Sequence, residues 1–263
     1  NTSHELRTPL TSVIGSLDIV VNELCSTKEE ERQVLRMAAE AAHGLSLIVD
    51  DMLERSVPFY SALQHMIGEI AAYCAQKETR LYDLGCSTAT TLQALDGRLK
   101  PGVAFVGVDD SEPMLAKARA KLDASGSTRQ IELLCADLHA GPVIENASVV
   151  CLILTLQFVR PLYREKLVQR IAQGLVPGGC LLLVEKLTSA NTTLNRLFID
   201  YYYQLKRRNG YSDIEITRKR EALENVLIPY RPDENRKLLL DSGFTHVEDM
   251  FRWYNFSTVI AIK

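Results

Sequence analysis

The sequence lacks a surplus of positive charge, cysteine pairs with metal-binding spacing, and long apolar runs. Its 30 lysine and arginine residues stand against 33 aspartate and glutamate residues, which gives a net charge of −3. Broad electrostatic binding to nucleic acid needs a basic surface, so direct nucleic-acid binding is not expected. None of the six cysteines forms a C-x-x-C pair or a zinc-type His/Cys cluster. We therefore expect no metal, and buried free thiols in a reducing cytoplasm.

Membrane and secretory segments are also absent from the sequence. No apolar run reaches the roughly 18 residues that span a bilayer, and there is no signal peptide. The chain begins at Asn1, without a methionine and within a motif, which indicates a piece of a longer protein. Its 263 residues allow one large domain, or one ordinary domain with a small appendage.

Residues 1–53 repeat apolar side chains at spacings of four and three, which places them on one helix face. A break at Ser26–Glu29, with a candidate N-cap, separates two such seams. This pattern predicts an antiparallel helical hairpin, and two copies are expected to pair into a four-helix bundle, a homodimer. The alternative is a hairpin packed on its own chain. The seam positions are Leu6, Leu10, Val13, Leu17, Val20, Leu24, Val34, Ala38, Ala41, Leu45, Ile48 and Met52.

Residues 54–263 alternate apolar strands with helical patterns, which predicts an α/β fold with a Rossmann-like, doubly wound, mostly parallel sheet. A closing pair of strands is typical of class I methyltransferases. Asn191–Tyr230 is a helical insert expected to overhang the carboxyl edge of the sheet. Pro177-Gly178-Gly179 predicts a turn before strand five. The predicted strands are Arg80–Leu84, Val103–Val108, Gln130–Cys135, Ser148–Thr155, Cys180–Glu185, Thr245–Phe251 and Asn255–Ile262, and the predicted helices are Thr88–Leu99, Met114–Ala124 and Tyr163–Leu175.

Glycine or aspartate follows each of the first three predicted strands, at the edge where open α/β sheets bind ligands. The single Gly85 after strand one favours S-adenosylmethionine over a dinucleotide, whose fingerprint needs three glycines. Asp109 and Asp110 after strand two suit ribose hydroxyls, because a carboxylate offers several acceptor lone pairs. Asp137 after strand three can accept from an adenine amino group. The alternative for residues 109–110 is capping of the following helix.

Residues 51–263 resemble the carboxy-S-adenosylmethionine synthase family, on motifs more specific than the general methyltransferase pattern. The resemblance implies an enzyme that uses prephenate to convert S-adenosylmethionine into carboxy-S-adenosylmethionine, which later serves a wobble-uridine modification of tRNA. Prephenate would yield phenylpyruvate and carbon dioxide, and the carbon dioxide would be captured at the sulfonium methyl. The matching segments are Arg55–Pro58 with Tyr60, Tyr82–Ser87, Glu145–Ser148, Thr155–Phe158, Lys206–Ser212 and Leu223–Val226.

The same resemblance implies the residues of the site. Tyr60 and Arg207 are the candidate catalytic residues, and Arg207 would hold the new carboxylate, which a guanidinium fork matches. The alternative for Arg207 is an exposed basic face at residues 206–208. Ile153 stands where the family has an asparagine that contacts the cofactor. The positions expected to bind S-adenosylmethionine or its carboxylated form are Tyr60, Gly85, Cys86, Ser87, Asp109, Asp110, Asp137, Leu138, Ile153 and Arg207.

Ser3–Leu10 resembles the phosphoacceptor box of sensor histidine kinases, and the resemblance covers the whole N-terminal hairpin. It implies that His4 takes a phosphoryl group, that Glu5 orients its imidazole, and that Thr8 positions a water. A response regulator is the partner implied. No kinase ATP-binding domain follows in the sequence, so His4 is not expected to be phosphorylated by this chain alone. The alternative is an inert dimerisation element.

Three interpretations follow for the chain as a whole. The first is an enzyme, either a carboxy-S-adenosylmethionine synthase or a methyltransferase of unknown acceptor. The second is a non-catalytic ligand-sensing module of a two-component signalling protein, carried on the helical stalk. The third is an artificial fusion of two unrelated genes. Tight cofactor binding without turnover would favour the second.

Overall fold

The computed structural model describes residues 51–263 and, before them, Thr27, Lys28 and Val34. The predicted hairpin of residues 1–53, its dimer seam and His4 lie outside the described residues, except for these few positions, and stay predictions. Residues 51–56 are helical, so a helix crosses the predicted domain boundary between residues 53 and 54. That boundary stays a prediction.

One twisted sheet organises residues 79–262. Its strands are β1 Thr79–Leu84, β2 Val103–Asp109, β3 Ile131–Cys135, β4 Ala147–Ile153, β5 Leu175–Lys186, β6 His246–Trp253 and β7 Phe256–Ile262. In the part of the chain described, these seven strands follow the order β3-β2-β1-β4-β5-β7-β6. β1 to β5 are parallel, and β7 is antiparallel to both β5 and β6. The predicted doubly wound sheet with a closing hairpin is confirmed.

Helices cover both faces of the sheet. They are α1 Tyr60–Cys74, α2 Thr90–Asp96, α3 Glu112–Ala124, α4 Pro161–Gly174, α5 Thr192–Arg208, α6 Asp213–Leu223 and α7 Pro232–Asp241, with a 3₁₀ turn at Leu156–Phe158. The burial of Leu63, Ile67, Ala71 and Cys74 in α1 follows the three-four spacing of one helix face. α6 begins with a capping box between Ser212 and Glu215, which satisfies backbone N–H groups that the helix leaves open.

Neighbouring residues of β1 enter different apolar cores, because successive side chains of a strand point to opposite faces. Tyr82 packs in the core beneath α4 and α7, and Leu81 in the core beneath α1, α2 and α3. β1 and β4 are therefore buried almost throughout. The sheet order reverses between these two strands, and their carboxyl ends define the topological switch point.

Several predicted boundaries differ from the structure, most of them by one or two residues, and the larger differences are at β5 and at α2, which ends at Asp96 rather than Leu99. β5 begins at Leu175, not Cys180, because Pro177–Gly179 belongs to an irregular strand in which the register against β4 shifts and Gly178 has a φ of 74°. α2 begins at Thr90, not Thr88, because Ser87 and Ala89 adopt φ values of 49° and 59°, outside the helical range. The insert at residues 191–230 contains α5 and α6, as predicted. Among the described residues, no helix combines the length and apolarity needed to cross a bilayer.

Candidate functional site

A cavity of about 640 Å³ lies at the carboxyl ends of β1, β2 and β4, within the size range of small-molecule sites. Residues of α5 and α6 line its opposite side, so the insert overhangs the strand ends as expected. The structure brings together nine of the ten positions predicted to bind the cofactor. These are Tyr60, Gly85, Cys86, Ser87, Asp109, Asp110, Asp137, Leu138 and Ile153.

Gly85 forms the tight floor of the cavity. Its φ is +80°, and a Cβ placed there would lie 2.4 Å from Cγ2 and 2.5 Å from Oγ1 of Thr155. The amides of Gly85 and Cys86 both donate to the carbonyl of Val108, at 2.7 and 3.0 Å. Glycine is therefore required by the backbone conformation and by the close approach of Thr155.

Asp109 ties the ends of β1 and β2 together. Its Oδ2 accepts from the Ser87 amide at 2.9 Å, and its Oδ1 accepts from the Ser111 amide at 3.0 Å. Ser111 is the N-cap residue of α3, and no side chain of the described residues makes a capping hydrogen bond there, so the capping alternative for residues 109–110 is not observed. Each carboxylate oxygen retains a further lone pair for a ligand hydroxyl. Asp110 also lines the cavity and is exposed.

Asp83 was not among the predicted binding residues, yet it lines the cavity with only 2% of its surface exposed. Burial, and then the negative charge of Asp109, raise the pKa of Asp83 to about 7. A carboxyl group among the buried residues Leu81, Tyr82 and Leu84 of β1 is the sequence signal that could have found it. The cavity therefore contains a carboxyl group poised to change its charge near neutral pH.

The carboxylate of Asp137 is held by hydrogen bonds from His139. Its Oδ1 accepts from the amide of His139 at 2.8 Å and from the ring Nδ1 at 2.7 Å. These hydrogen bonds lower the pKa of Asp137. The other ring nitrogen of His139 accepts from the Arg160 amide at 3.2 Å, which fixes the ring. His139 also lines the cavity and was missed, because nothing in its sequence context distinguishes it.

Tyr60 enters the cavity from the first turn of α1. Gln64, one turn further along, donates from its Nε2 to the Tyr60 hydroxyl at 3.0 Å and to Oγ1 of Thr91 at 3.2 Å. All three residues are buried. This bridge links α1 to α2 and positions the phenol beside the strand ends.

Arg207 is the one predicted ligand residue of the described chain that does not line the cavity. Its Nε donates to Oδ1 of Asp213 at 2.7 Å, and half of its side chain is exposed. The three basic residues 206–208 have different environments. Arg207 and Arg208 are exposed, whereas Lys206 is only 5% exposed and lines the cavity. His4, the third residue expected to be catalytic, is not among the described residues.

Three lysines of the cavity were missed by the sequence reasoning: Lys186 at the end of β5, Lys206 in α5 and Lys219 in α6. Their ammonium groups lie over the rings of Tyr202 and Tyr211. Burial, and then the charges of Lys186 and Lys219, lower the pKa of Lys206 to about 7. The cavity therefore carries acidic groups at the strand ends and basic groups on the insert side.

Metal ligands do not cluster anywhere in residues 51–263 or at the isolated described positions. The donor set of the cavity, with strand-end carboxylates, a glycine turn and apolar walls, fits an adenosine-type ligand with a positive charge.

Comparisons with known proteins agree with this geometry. Residues 81–179 match the model of a methyltransferase domain, and residues 1–56 match that of the His Kinase A (phospho-acceptor) domain. The carboxy-S-adenosyl-L-methionine synthase of Methylococcus capsulatus is 53% identical over 84% of this chain and 91% of its own. The synthase of Sulfurimonas denitrificans is 45% identical over 92% of this chain and 100% of its own.

The fold has solved counterparts as well. An O-methyltransferase family protein from Burkholderia thailandensis superposes with a TM-score of 0.61 at 14% identity, covering 98% of this chain and 71% of that one. This likeness shows the shared fold alone. The fold and the relatives together support the use of S-adenosylmethionine. On the identity and coverage of these relatives, the chain belongs to the carboxy-S-adenosyl-L-methionine synthase family.

Proposed function

We propose that residues 54–263 catalyse the reaction for which their relatives are named, the synthesis of carboxy-S-adenosylmethionine, with prephenate as the source of the carboxyl group. The observation that carries the proposal is the division of charge within one cavity. Acidic side chains at the strand ends suit the cationic S-adenosylmethionine, and basic side chains of the insert suit an anionic second substrate.

The strand-end residues are proposed to bind S-adenosylmethionine. Asp109 and Asp110 would accept from the ribose hydroxyls, and Asp137 would accept from the adenine amino group. Gly85, Cys86 and Ser87 let the ligand approach the backbone, because the floor of the cavity carries no side chain at residue 85. Leu138 and Ile153 would supply apolar contacts to the adenosine.

S-adenosylmethionine supplies a methyl group that the positive sulfur makes acidic, so that its carbon can exchange a proton for the carboxyl group. Prephenate aromatises to phenylpyruvate as its ring carboxyl group is transferred, and its hydroxyl leaves as water together with one methyl proton. The chain's contribution is to hold the two ligands side by side and to exclude bulk water. Buried Tyr60, bridged to α2 through Gln64, stands at the edge of the strand-end site and would orient the methyl group.

Arg207 stays a proposed ligand for the carboxylate of the product. Its guanidinium is paired with Asp213 on the exposed side of α5, so this role requires that pair to open. An Asp213→Asn variant isolates this requirement. If Arg207 binds the carboxylate, releasing it from Asp213 should lower the Kd for carboxy-S-adenosylmethionine, and an unchanged Kd would count against the role.

The activity is tested by incubating the purified chain with S-adenosylmethionine and prephenate and following the nucleoside by mass spectrometry. The expected result is a species heavier by about 44 Da, the mass of carbon dioxide, that requires both substrates. The matched control is the Gly85→Ala variant, which should form none because Thr155 occupies the position of the new methyl group. Tight binding of S-adenosylmethionine without turnover would favour the ligand-sensing interpretation.

A second proposal concerns the N-terminal segment. We infer that residues 1–53 form a homodimeric phosphoacceptor hairpin, supported by the His Kinase A match to residues 1–56. His4 would accept a phosphoryl group from a separate kinase and pass it to a response regulator in the cytoplasm. Sedimentation at micromolar concentration tests the dimer, and a monomer would overturn it. Phosphorylation lost in a His4→Gln variant tests the acceptor.

A further inference from the structure

Three lysine side chains from distant parts of the chain converge on one wall of the cavity. The ammonium groups of Lys186 and Lys206 lie 4.8 and 4.6 Å from the ring centre of Tyr202. Those of Lys219 and Lys206 lie 4.3 and 5.8 Å from the ring centre of Tyr211. The two tyrosines therefore hold three positive charges around one small volume.

No carboxylate balances these charges within the described residues. Lys219 donates a hydrogen bond to the hydroxyl of Tyr211 at 2.6 Å, and Lys186 and Lys206 form no ion pair in this part of the chain. Lys206 is 95% buried. A buried ammonium group is costly unless an anion pairs with it, and stacking on an aromatic ring compensates only partly.

The titration of Lys206 agrees with a missing anion. Burial, and then the charges of Lys186 and Lys219, together lower its pKa to about 7. Burial also lowers the pKa of Lys186. The groups that face Lys206 are these two lysines and the phenols of Tyr202 and Tyr211. A negatively charged ligand placed among them would restore full protonation.

We propose that Lys186, Lys206 and Lys219 form a carboxylate-binding subsite, which holds the carboxylates of the second substrate. The identification of that substrate as the dicarboxylate prephenate rests on the proposed function, whereas the anion site itself rests on the geometry. Lysine suits this task, because its compact ammonium group binds oxygen anions as a point charge without a fixed fork.

Two ligands of the proposed reaction carry a carboxylate, and the position of the lysines favours the second substrate. The acidic residues Asp83, Asp109 and Asp110 occupy the strand ends, where the nucleoside ligand is proposed to bind. Lys186 ends β5 and the other two lysines belong to α5 and α6, and all three ammonium groups lie over tyrosine rings of the insert. If they instead held the amino-acid carboxylate of the nucleoside, their loss would weaken nucleoside binding.

The test measures prephenate binding by calorimetry to the full chain saturated with S-adenosylhomocysteine, which cannot react, and measures S-adenosylhomocysteine binding separately. Lys206→Met and Lys186→Met remove the charge at nearly constant volume. Each should weaken prephenate binding by roughly tenfold or more, with the Kd for S-adenosylhomocysteine changed less than about twofold. Lys206→Arg should restore part of the affinity. The matched control is Lys166→Met, on the exposed side of α4, which should change neither Kd.

Folding does not confound this test, because replacing an unpaired buried charge by methionine should leave the melting temperature unchanged or higher. An unchanged prephenate Kd in Lys206→Met, or no prephenate binding to the wild type, would overturn the subsite. An equal loss of S-adenosylhomocysteine binding would assign the lysines to the nucleoside and also overturn it. If prephenate binding depends on the lysines but no carboxylated product forms, the subsite is supported and the proposed reaction is refuted.

Discussion

Replacing Asp83 by asparagine should remove a pH-dependent loss of stability that originates in the cofactor cavity. The pKa of Asp83 is raised from 3.8 to about 7, first by burial and then by the charge of Asp109. The folded state holds the Asp83 proton more tightly than the unfolded state does. The fold is therefore most stable below the pKa of the unfolded state, and this stability is lost as the pH rises through the pKa of the folded state. At 1.36 kcal/mol per unit, a shift of about three units corresponds to about 4 kcal/mol over the whole range.

The measurement is urea unfolding of the wild type and Asp83→Asn at about pH 5 and about pH 8. Between these pH values the contribution of Asp83 to the free energy of unfolding should change by roughly 2–3 kcal/mol. Subtracting the variant removes the contributions of the other titrating groups, because asparagine stays neutral. The wild type should therefore lose about 2–3 kcal/mol relative to Asp83→Asn between the two pH values. The control Asp123→Asn, at an exposed position of α3, should show no such difference.

A difference between wild type and Asp83→Asn that is independent of pH would refute this reasoning. Saturating S-adenosylmethionine offers a second check, because its sulfonium and ammonium charges favour the ionised carboxyl. Binding near neutral pH should release a proton from Asp83, and the release should vanish in Asp83→Asn. Calorimetry in buffers of different ionisation enthalpy measures it.

Two further predictions concern the frame of the site. Gly85→Ala should abolish S-adenosylmethionine binding and destabilise the fold by about 2 kcal/mol or more, because residue 85 has a positive φ and a new Cβ would clash with Thr155. Adding Thr155→Gly to this variant should recover part of the lost stability. Glu185, buried beside Arg164, has its pKa raised to about 8 by burial. The wild type should therefore lose about 2–3 kcal/mol relative to Glu185→Gln between about pH 6 and about pH 9. A difference in unfolding free energy between wild type and Glu185→Gln that does not change from about pH 6 to about pH 9 would contradict the raised pKa of Glu185.

The strand-end half of the site could be predicted from the sequence, because it depends on local order. Gly85, Asp109 and Asp137 each follow an apolar run of strand length, and parallel strands bring their carboxyl ends to one edge. The βαβ alternation therefore predicted both the sheet and the residues at its edge. The start of α2 was missed because the left-handed turn at residues 87–89 depends on contacts with β2 rather than on periodicity.

The lysine half of the site could not be predicted in this way. Lys206 stands in a basic run that is typical of a solvated helix face, and its burial depends on how α5 and α6 fold back over the sheet. That arrangement is held by long-range contacts. Tyr211 lies within hydrogen-bond distance of Ser56, 2.9 Å between oxygens, and Asn209 donates to the carbonyl of Arg55 at 3.0 Å. Pairs separated by about 150 residues leave no local pattern.

The central claim is that one cavity joins S-adenosylmethionine to a carboxyl group taken from a second, anionic substrate. The most direct test supplies prephenate labelled with ¹³C in its ring carboxyl group and analyses the nucleoside product by mass spectrometry. The account predicts a product about 45 Da heavier than S-adenosylmethionine, with the label in the new carboxyl group. Unlabelled product, or no product while both ligands bind, would contradict it.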